Sequence, residues 1–276
     1  MKQTIFYLEG RGGIYLYHFF IYNLGGLYYI LNNQFNNRGP PNTSVLLEDN
    51  SKLTAYPSSP ISFPIKIHIK NIIPFQREAF EIIKDKFELI EDLTAIEGDY
   101  EIVSIYGETQ YKTGTSDNRH IIFPFLRNLF LETIKFDIIP RKRIFITRKH
   151  SESQHGGVLK RYILNEKELI TTLNKYNFEF IQLEDLNMYD KIKLFMQSEI
   201  IVSSHSSALT LTLFANKDVK IIELLNKGEG KNHSQMIEIS QTLGLNYNRY
   251  TNIREDANGN FNLNVNEFEK YLTNLL

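Results

Sequence analysis

The sequence predicts an α/β fold of two halves, each a parallel sheet with helices on its faces. Three observations carry that expectation. The chain opens with an apolar strand at residues 4–8, then the glycine-broken loop Gly10-Arg11-Gly12-Gly13 and an apolar helix from Tyr15, the order in which a doubly wound domain begins. Between residues 143 and 243 strand and helix patterns alternate four times, and parallel strands joined by helices need a sheet covered on both sides. Finally, a chain of 276 residues matches two domains of roughly 130 residues each. The halves are expected at 1–138 and 139–263, joined near Pro140, with the last helix, 264–276, able to return to the first half.

In the first half, residues 14–31 are long and apolar enough to raise a membrane span, but His18, Asn23, Gly25 and Gly26 fall within them. A lipid-exposed His and Asn would be costly. The segment is read as a buried helix without stable membrane insertion; contact with a membrane surface is the alternative. Residues 32–64 are rich in Asn, Pro and Ser and read as loop, with one strand candidate at 44–48. Ile65-Lys66-Ile67-His68-Ile69 alternates strictly, which predicts a half-exposed strand. A helix through Phe75, Ala79, Phe80 and Ile83 follows, then a strand at 100–106, a polar loop at 112–118 and a helix through Phe125, Leu126, Leu129 and Phe130.

The second half begins with a strand at 143–147. Asn165 with Glu168 three residues on forms a capping box for a helix whose apolar face is Leu169, Ile170, Leu173 and Tyr176. Strands at 178–183, 200–202 and 219–224 alternate with helices marked by Met188, Ile192, Phe195 and Met196, by residues 208–215, and by Met236, Ile239 and Leu243 before Gly244. Asn258-Gly259 reads as a tight turn, and Asn264 with Glu267 caps a last helix through Phe268, Tyr271, Leu272 and Leu275.

Composition narrows the function. The absence of cysteine removes disulfide scaffolds, thiolate zinc sites and cysteine nucleophiles, and suits a reducing compartment. Thirty-one basic residues against 32 acidic ones leave a net charge of −1, which argues against nucleic acid as a partner. Glu9 and Arg11 interrupt the N-terminus before a secretory signal develops, so a cytoplasmic location is expected. No D-x-D occurs and the seven histidines are scattered, so no metal site is expected.

The residues best suited to chemistry cluster after the strands of the second half. Ser203-Ser204-His205-Ser206-Ser207-Ala208 follows an apolar strand and opens a helix. Small side chains there let backbone N–H groups and the positive helix end approach a phosphate. A polar turn capped by serines is the other reading, and the glycines of a G-x-S-x-G elbow are missing. Arg148, Lys149, Lys160 and Arg161 bracket the loop at 151–158, where arginine forks suit a diphosphate unless the loop is merely solvated. Glu184 and Glu223 end or lie within strands on that side, where carboxylates can accept from ribose hydroxyls; an ordinary cap or ion pair is the other reading of Glu184, whereas Glu223 interrupts an otherwise apolar strand. His18, just past the first glycine loop, is placed to take a proton from a hydroxyl or, alternatively, to sit in the core beside a tyrosine.

In order and spacing these pieces resemble glycosyltransferase family 61, whose short relatives include those of large DNA viruses such as the chloroviruses. Arg143-Ile-Phe-Ile-Thr-Arg148-Lys149 is similar to the family's strand ending in Ser/Thr-Arg, and Arg161-Tyr-Ile-Leu-Asn165-Glu166-Lys-Glu-Leu169 to its R-x-x-x-N-E-x-E-L helix start. Ile200-Ile-Val-Ser-Ser-His205-Ser-Ser-Ala208-Leu-Thr210 resembles its H-G-A-A-L-T-N turn, and Val219-Lys-Ile-Ile-Glu223-Leu the strand that follows. Tyr17-His18-Phe19-Phe20 is a fainter likeness to its Y-H-W-L.

The resemblance implies a GT-B fold, two facing Rossmann-like domains with a cleft between them and a nucleotide sugar held mainly by the C-terminal one. It implies metal-independent, inverting transfer of a sugar, xylose first and N-acetylglucosamine next, from a UDP-sugar to a glycan or glycoprotein acceptor, with no other cofactor. Arg148 and Arg161 would hold the diphosphate with the turn Ser204, His205, Ser206, Ser207 and Ala208, and Glu223 would hold the ribose, with Lys149 and Glu184 kept as donor-side candidates from their positions alone. The chain departs from the family at two positions: Tyr22 stands where an acid is expected four residues after the first histidine, and Ser206 replaces a glycine. The catalytic base then falls to His18 alone or to Glu78, and a non-catalytic nucleotide-sugar-binding protein is the alternative function.

Overall fold

The computed structural model describes residues 3–9, 15–32, 53–54, 61–106, 118–135, 139–148, 162–225 and 235–276. The chain divides into two compact units, Met1–Lys135 and Phe136–Leu276, each organised on its own five-stranded sheet.

In the first unit, β1 (Gln3–Glu9), β2 (Leu53–Thr54), β3 (Ile65–His68), β4 (Phe87–Ile90) and β5 (Tyr100–Tyr106) stand in the order β2-β5-β1-β3-β4. Every pair is parallel. Phe6 of β1 pairs with Val103 on one side and Ile67 on the other, and all three are buried, the condition under which a strand reads as an apolar run. The strand candidate at 44–48 and the glycine loop at 10–13 lie outside the described residues.

The segment after β1 is helical, but it is not one α-helix. α1 (Leu16–His18) runs into a π-helical turn, Phe19–Leu24, and α2 (Gly26–Leu31) follows. Tyr17, Phe19, Phe20, Ile21, Leu24, Leu27 and Ile30 are buried. Phe19 meets Phe75 edge-on at 5.4 Å and Phe20 meets Phe130 at 5.6 Å. This is an interior segment, and among the described residues no helix is long and apolar enough to cross a membrane. The π turn closes at Gly25, whose N–H donates to Phe20 O at 3.0 Å. A Cβ on Gly25 would lie 2.2 Å from the Ile21 carbonyl oxygen and 3.2 Å from Ile122 Cγ2. Two further helices cover the sheet: α3 (Pro74–Ile82), which starts on its proline with Gln76 Oε1 accepting from Ile73 N–H at 2.9 Å, and α4 (Arg119–Thr133).

The second unit holds β6 (Lys142–Thr147), β7 (Phe178–Gln182), β8 (Ser198–Ser204), β9 (Lys220–Leu224) and β10 (Asn246–Tyr250). They stand in the order β10-β9-β8-β6-β7, again all parallel. Its helices are α5 (Glu166–Asn174), α6 (Met188–Gln197), α7 (Gln235–Leu243) and α8 (Val265–Leu275). Gly244 takes φ 67° after α7, the left-handed position at which helices commonly stop. The last helix packs within this unit: Val265, Phe268 and Leu272 join Leu169, Leu173 and Tyr250 in one buried cluster. Asn264 caps it, its side chain accepting from Glu267 N–H.

Two local expectations change in the structure. Asn165 is the N-cap of α5, but no capping box forms. Its Oδ1 accepts from Leu263 N–H and its Nδ2 donates to Leu263 O, both at 2.9 Å, while Nδ2 also reaches Glu168 Oε2. A neighbouring strand-like segment, bridged at Ile163 and Phe261, offers the amide a complete donor–acceptor pair, which a helix N-terminus cannot. The short helix after β8 is a 3-10 helix, Ser207–Phe214, buried from Leu209 onward.

Gly25→Ala is expected to destabilise the chain by about 1–3 kcal/mol, the usual cost of forcing extra volume into a packed interior. Denaturant unfolding measures it, and an unchanged midpoint would mean that the π turn is not fixed by this contact.

Candidate nucleotide-sugar site

Doubly wound sheets bind ligands at the carboxyl ends of their strands, where the strand order reverses. In the second unit the chain passes from β6 to β7 on one side and then to β8, β9 and β10 on the other. The reversal therefore falls between β6 and β8. Ile146 pairs with Ser203 there, so Thr147 and Arg148 leave one strand beside Ser204 and His205 leaving the other.

The chemistry just behind that point is built on a buried carboxylate. Glu223 lies in β9 between apolar neighbours and is 0% exposed. Its Oε1 lies 2.6 Å from His205 Nδ1. Its Oε2 accepts from the Tyr247 hydroxyl and, at 3.3 Å, from Arg249 Nε. Arg249 Nε also donates to the Tyr247 hydroxyl at 2.8 Å, and its guanidinium carbon stands 5.7 Å from the centre of the Tyr247 ring. The strand register explains the convergence, since Glu223 pairs with Ser203 on β8 and with Arg249 on β10.

Burial pushes the Glu223 carboxyl up, but the bond from His205, the Tyr247 hydroxyl and the Arg249 charge outweigh it. The group is held below its ordinary pKa of 4.5. Tyr247 is pushed well above its ordinary value, first by burial and then by the adjacent carboxylate, so it remains a hydrogen-bond donor. The network fixes the Nδ1 edge of the His205 ring and leaves Glu223 closed to solvent, its oxygens engaged by His205, Tyr247 and Arg249.

Beyond His205 the backbone passes through an extended residue into the 3-10 helix. Ser206 is extended, at φ −160° and ψ 162°, and caps the 3-10 helix without using its side chain. The first bond of that helix runs from Leu209 N–H to Ser206 O at 3.2 Å. The N–H groups of Ser207 and Ala208 precede it, the position at which helix donors have no partner in the helix itself. Ser206, Ser207 and Ala208 are half-buried, in contrast to the sealed residues that follow.

The other candidate residues fall elsewhere. Arg148 is half-buried just past β6. Glu184 sits on an exposed 3-10 turn after β7, Leu183–Asp185, and not on the strand itself. Lys149 and Arg161 lie outside the described residues, as does the side chain of Tyr22. His18 and Glu78 belong to the first unit. His18 ends α1, with Tyr15 and Tyr17 edge-on at 5.5 and 6.1 Å, and Glu78 is half-buried on α3. Among the described residues no three His, Asp or Glu side chains gather as a metal site. Sequence reasoning missed Tyr247 and Arg249 because Asn246–Tyr250 lacks an apolar pattern. The two-residue spacing that puts both on one face of a strand was the signal available.

Because folding lowers the Glu223 pKa below 4.5, its stabilising contribution is complete above that pH and is lost as pH falls through the depressed folded value. Glu223→Gln should cost roughly 1–3 kcal/mol at pH 7, the penalty of leaving buried partners poorly satisfied, and should flatten the fall in stability below pH 4.5. Urea titrations across that range check it, and an unchanged slope would contradict it.

The comparisons with known proteins bear on the family and not on the individual site residues. No curated protein matches the chain. The family model for glycosyltransferase 61 matches residues 17–222, a span that begins within α1 and ends within β9. A match over that length places the protein in glycosyltransferase family 61, and the chain is a glycosyltransferase.

Proposed function

We propose that the enzyme transfers a sugar, xylose first and N-acetylglucosamine next, from a UDP-sugar to a hydroxyl of a glycan or polysaccharide, with inversion and without a metal. The observation that carries this reading is the meeting, at the strand-order reversal of the second sheet, of Arg148 and the Ser204–Ala208 turn, with His205 held on buried Glu223. A departing diphosphate needs preorganised positive charge and N–H donors. Arg148, the N–H groups of Ser207 and Ala208, and the hydroxyls of Ser204, Ser206 and Ser207 supply them, and Lys149 and Arg161 are the further cations the motif pattern offers. The missing D-x-D and this basic alternative support a metal-free reaction.

In this reading Glu223 serves the donor indirectly. A carboxylate engaged by three side chains orients His205 and Arg249 toward the nucleotide, and the exposed Glu184 remains the candidate for the ribose hydroxyls. The first unit supplies the acceptor side, as a GT-B arrangement asks, and its base deprotonates the acceptor hydroxyl; His18 and Glu78 are the residues the motif pattern offers. A chain without cysteine suits work in a reducing compartment such as the cytoplasm.

A thermal-shift titration with UDP, GDP, CMP, UDP-xylose and UDP-N-acetylglucosamine, with EDTA present, tests the reading. Ligand at 100 times its dissociation constant stabilises by about 2.7 kcal/mol. The expected result is a shift with UDP and its sugars that EDTA leaves intact. No shift with any nucleotide would contradict the donor site, and a shift that EDTA abolishes would contradict metal independence.

A further inference from the structure

We propose that His68 is the general base of the acceptor reaction, a role that rests on the transferase reading above and that neither motif resemblance nor spacing assigns to it. His68 is the last residue of β3, at the carboxyl end of a strand next to the central β1, the end at which such sheets meet their ligands. The alternation of this strand predicts a half-exposed element, yet His68 is buried to 9% exposure. It is enclosed by particular contacts. Its ring stacks on Tyr7, its register partner, with centroids 5.7 Å apart and planes 28° from parallel. Its Nδ1 lies 2.8 Å from the carbonyl oxygen of Ile90, at the end of β4.

That last contact settles the tautomer. A carbonyl oxygen only accepts, so Nδ1 carries the hydrogen and, in the neutral ring, Nε2 carries the lone pair. Nε2 has no hydrogen-bond partner among the described residues and is not sealed from solvent. A base of this kind is oriented by a backbone group that cannot swing away, on a strand rather than a loop. His18 ends a three-residue helix, and Glu78 sits inside α3; neither is anchored at a strand end.

In the reaction, Nε2 takes the proton of the acceptor hydroxyl while that oxygen bonds to the anomeric carbon. The bond from that carbon to the diphosphate oxygen breaks, and its electron pair leaves on UDP. His68 thereby becomes the imidazolium, which returns its proton to solvent.

The test uses the full chain with UDP-xylose or UDP-N-acetylglucosamine as donor, water and methyl glycosides as acceptors, and release of UDP as readout. His68→Asn places an amide nitrogen where Nδ1 was, keeping the bond to Ile90 and removing the base. It should lower kcat by about 10²–10⁴-fold, the usual contribution of a general base, while calorimetry shows UDP binding unchanged. His68→Ala should recover part of its rate on addition of imidazole, and it keeps the test decisive if the asparagine variant melts early. Wild-type turnover in His68→Asn, or a loss of kcat confined to His18→Asn or Glu78→Gln, would overturn the assignment. A wild-type chain that binds no UDP would remove the donor reading and the base with it, a failure distinguishable from an active enzyme indifferent to His68.

Discussion

The second unit depends on one buried carboxylate. A charge inside an apolar strand is tolerated only where partners replace its water, and Glu223 has three among the described residues, His205 just past β8 on one side and Tyr247 and Arg249 in β10 on the other. The requirement works in both directions. Glu223 is held ionised by His205, Tyr247 and Arg249, and those three are held in place by Glu223. The turn that follows β8 thus begins from a fixed histidine, and the orientation of its N–H groups is inherited from the sheet. The rest of that face, with Arg148 arriving from β6, needs only the ordinary geometry of a reversing parallel sheet.

The first unit uses a different device for the same end. Its helical segment after β1 is locked by aromatic packing around a π turn, and Gly25 lets that turn close against the Ile21 carbonyl. The sheet beside it presents His68 with its ring stacked on one strand and hydrogen-bonded to the next. Side chains that must act on a reacting atom are best fixed by rigid elements, and in both units the fixing group comes from a neighbouring strand.

Much of this was legible in the sequence, for definite reasons. Central parallel strands are buried on both faces, so β1, β6, β8 and β9 announce themselves as apolar runs, and the serine-rich turn is visible because it interrupts one. An edge position can remove that mark: β7, at one edge, was still anticipated, but β4 and β10 are half-polar and were not, and with β10 went Tyr247 and Arg249. Glu223 was visible as a charge in an apolar strand, but its service to three side chains was not, because its partners lie 18 to 26 positions away. Asn165 shows the same limit, its amide committed to Leu263 across 98 positions. His68 was hidden for the opposite reason, since its place in an alternating strand looked fully explained by the pattern.

The central claim is that the donor is held by the second unit at the carboxyl ends of β6 and β8. Hydrogen–deuterium exchange with and without UDP tests it most directly. The account predicts slowed exchange in peptides covering residues 146–148 and 203–209, with the sheet interior unchanged. Protection confined to the first unit, or none at 203–209 while UDP is bound, would contradict it.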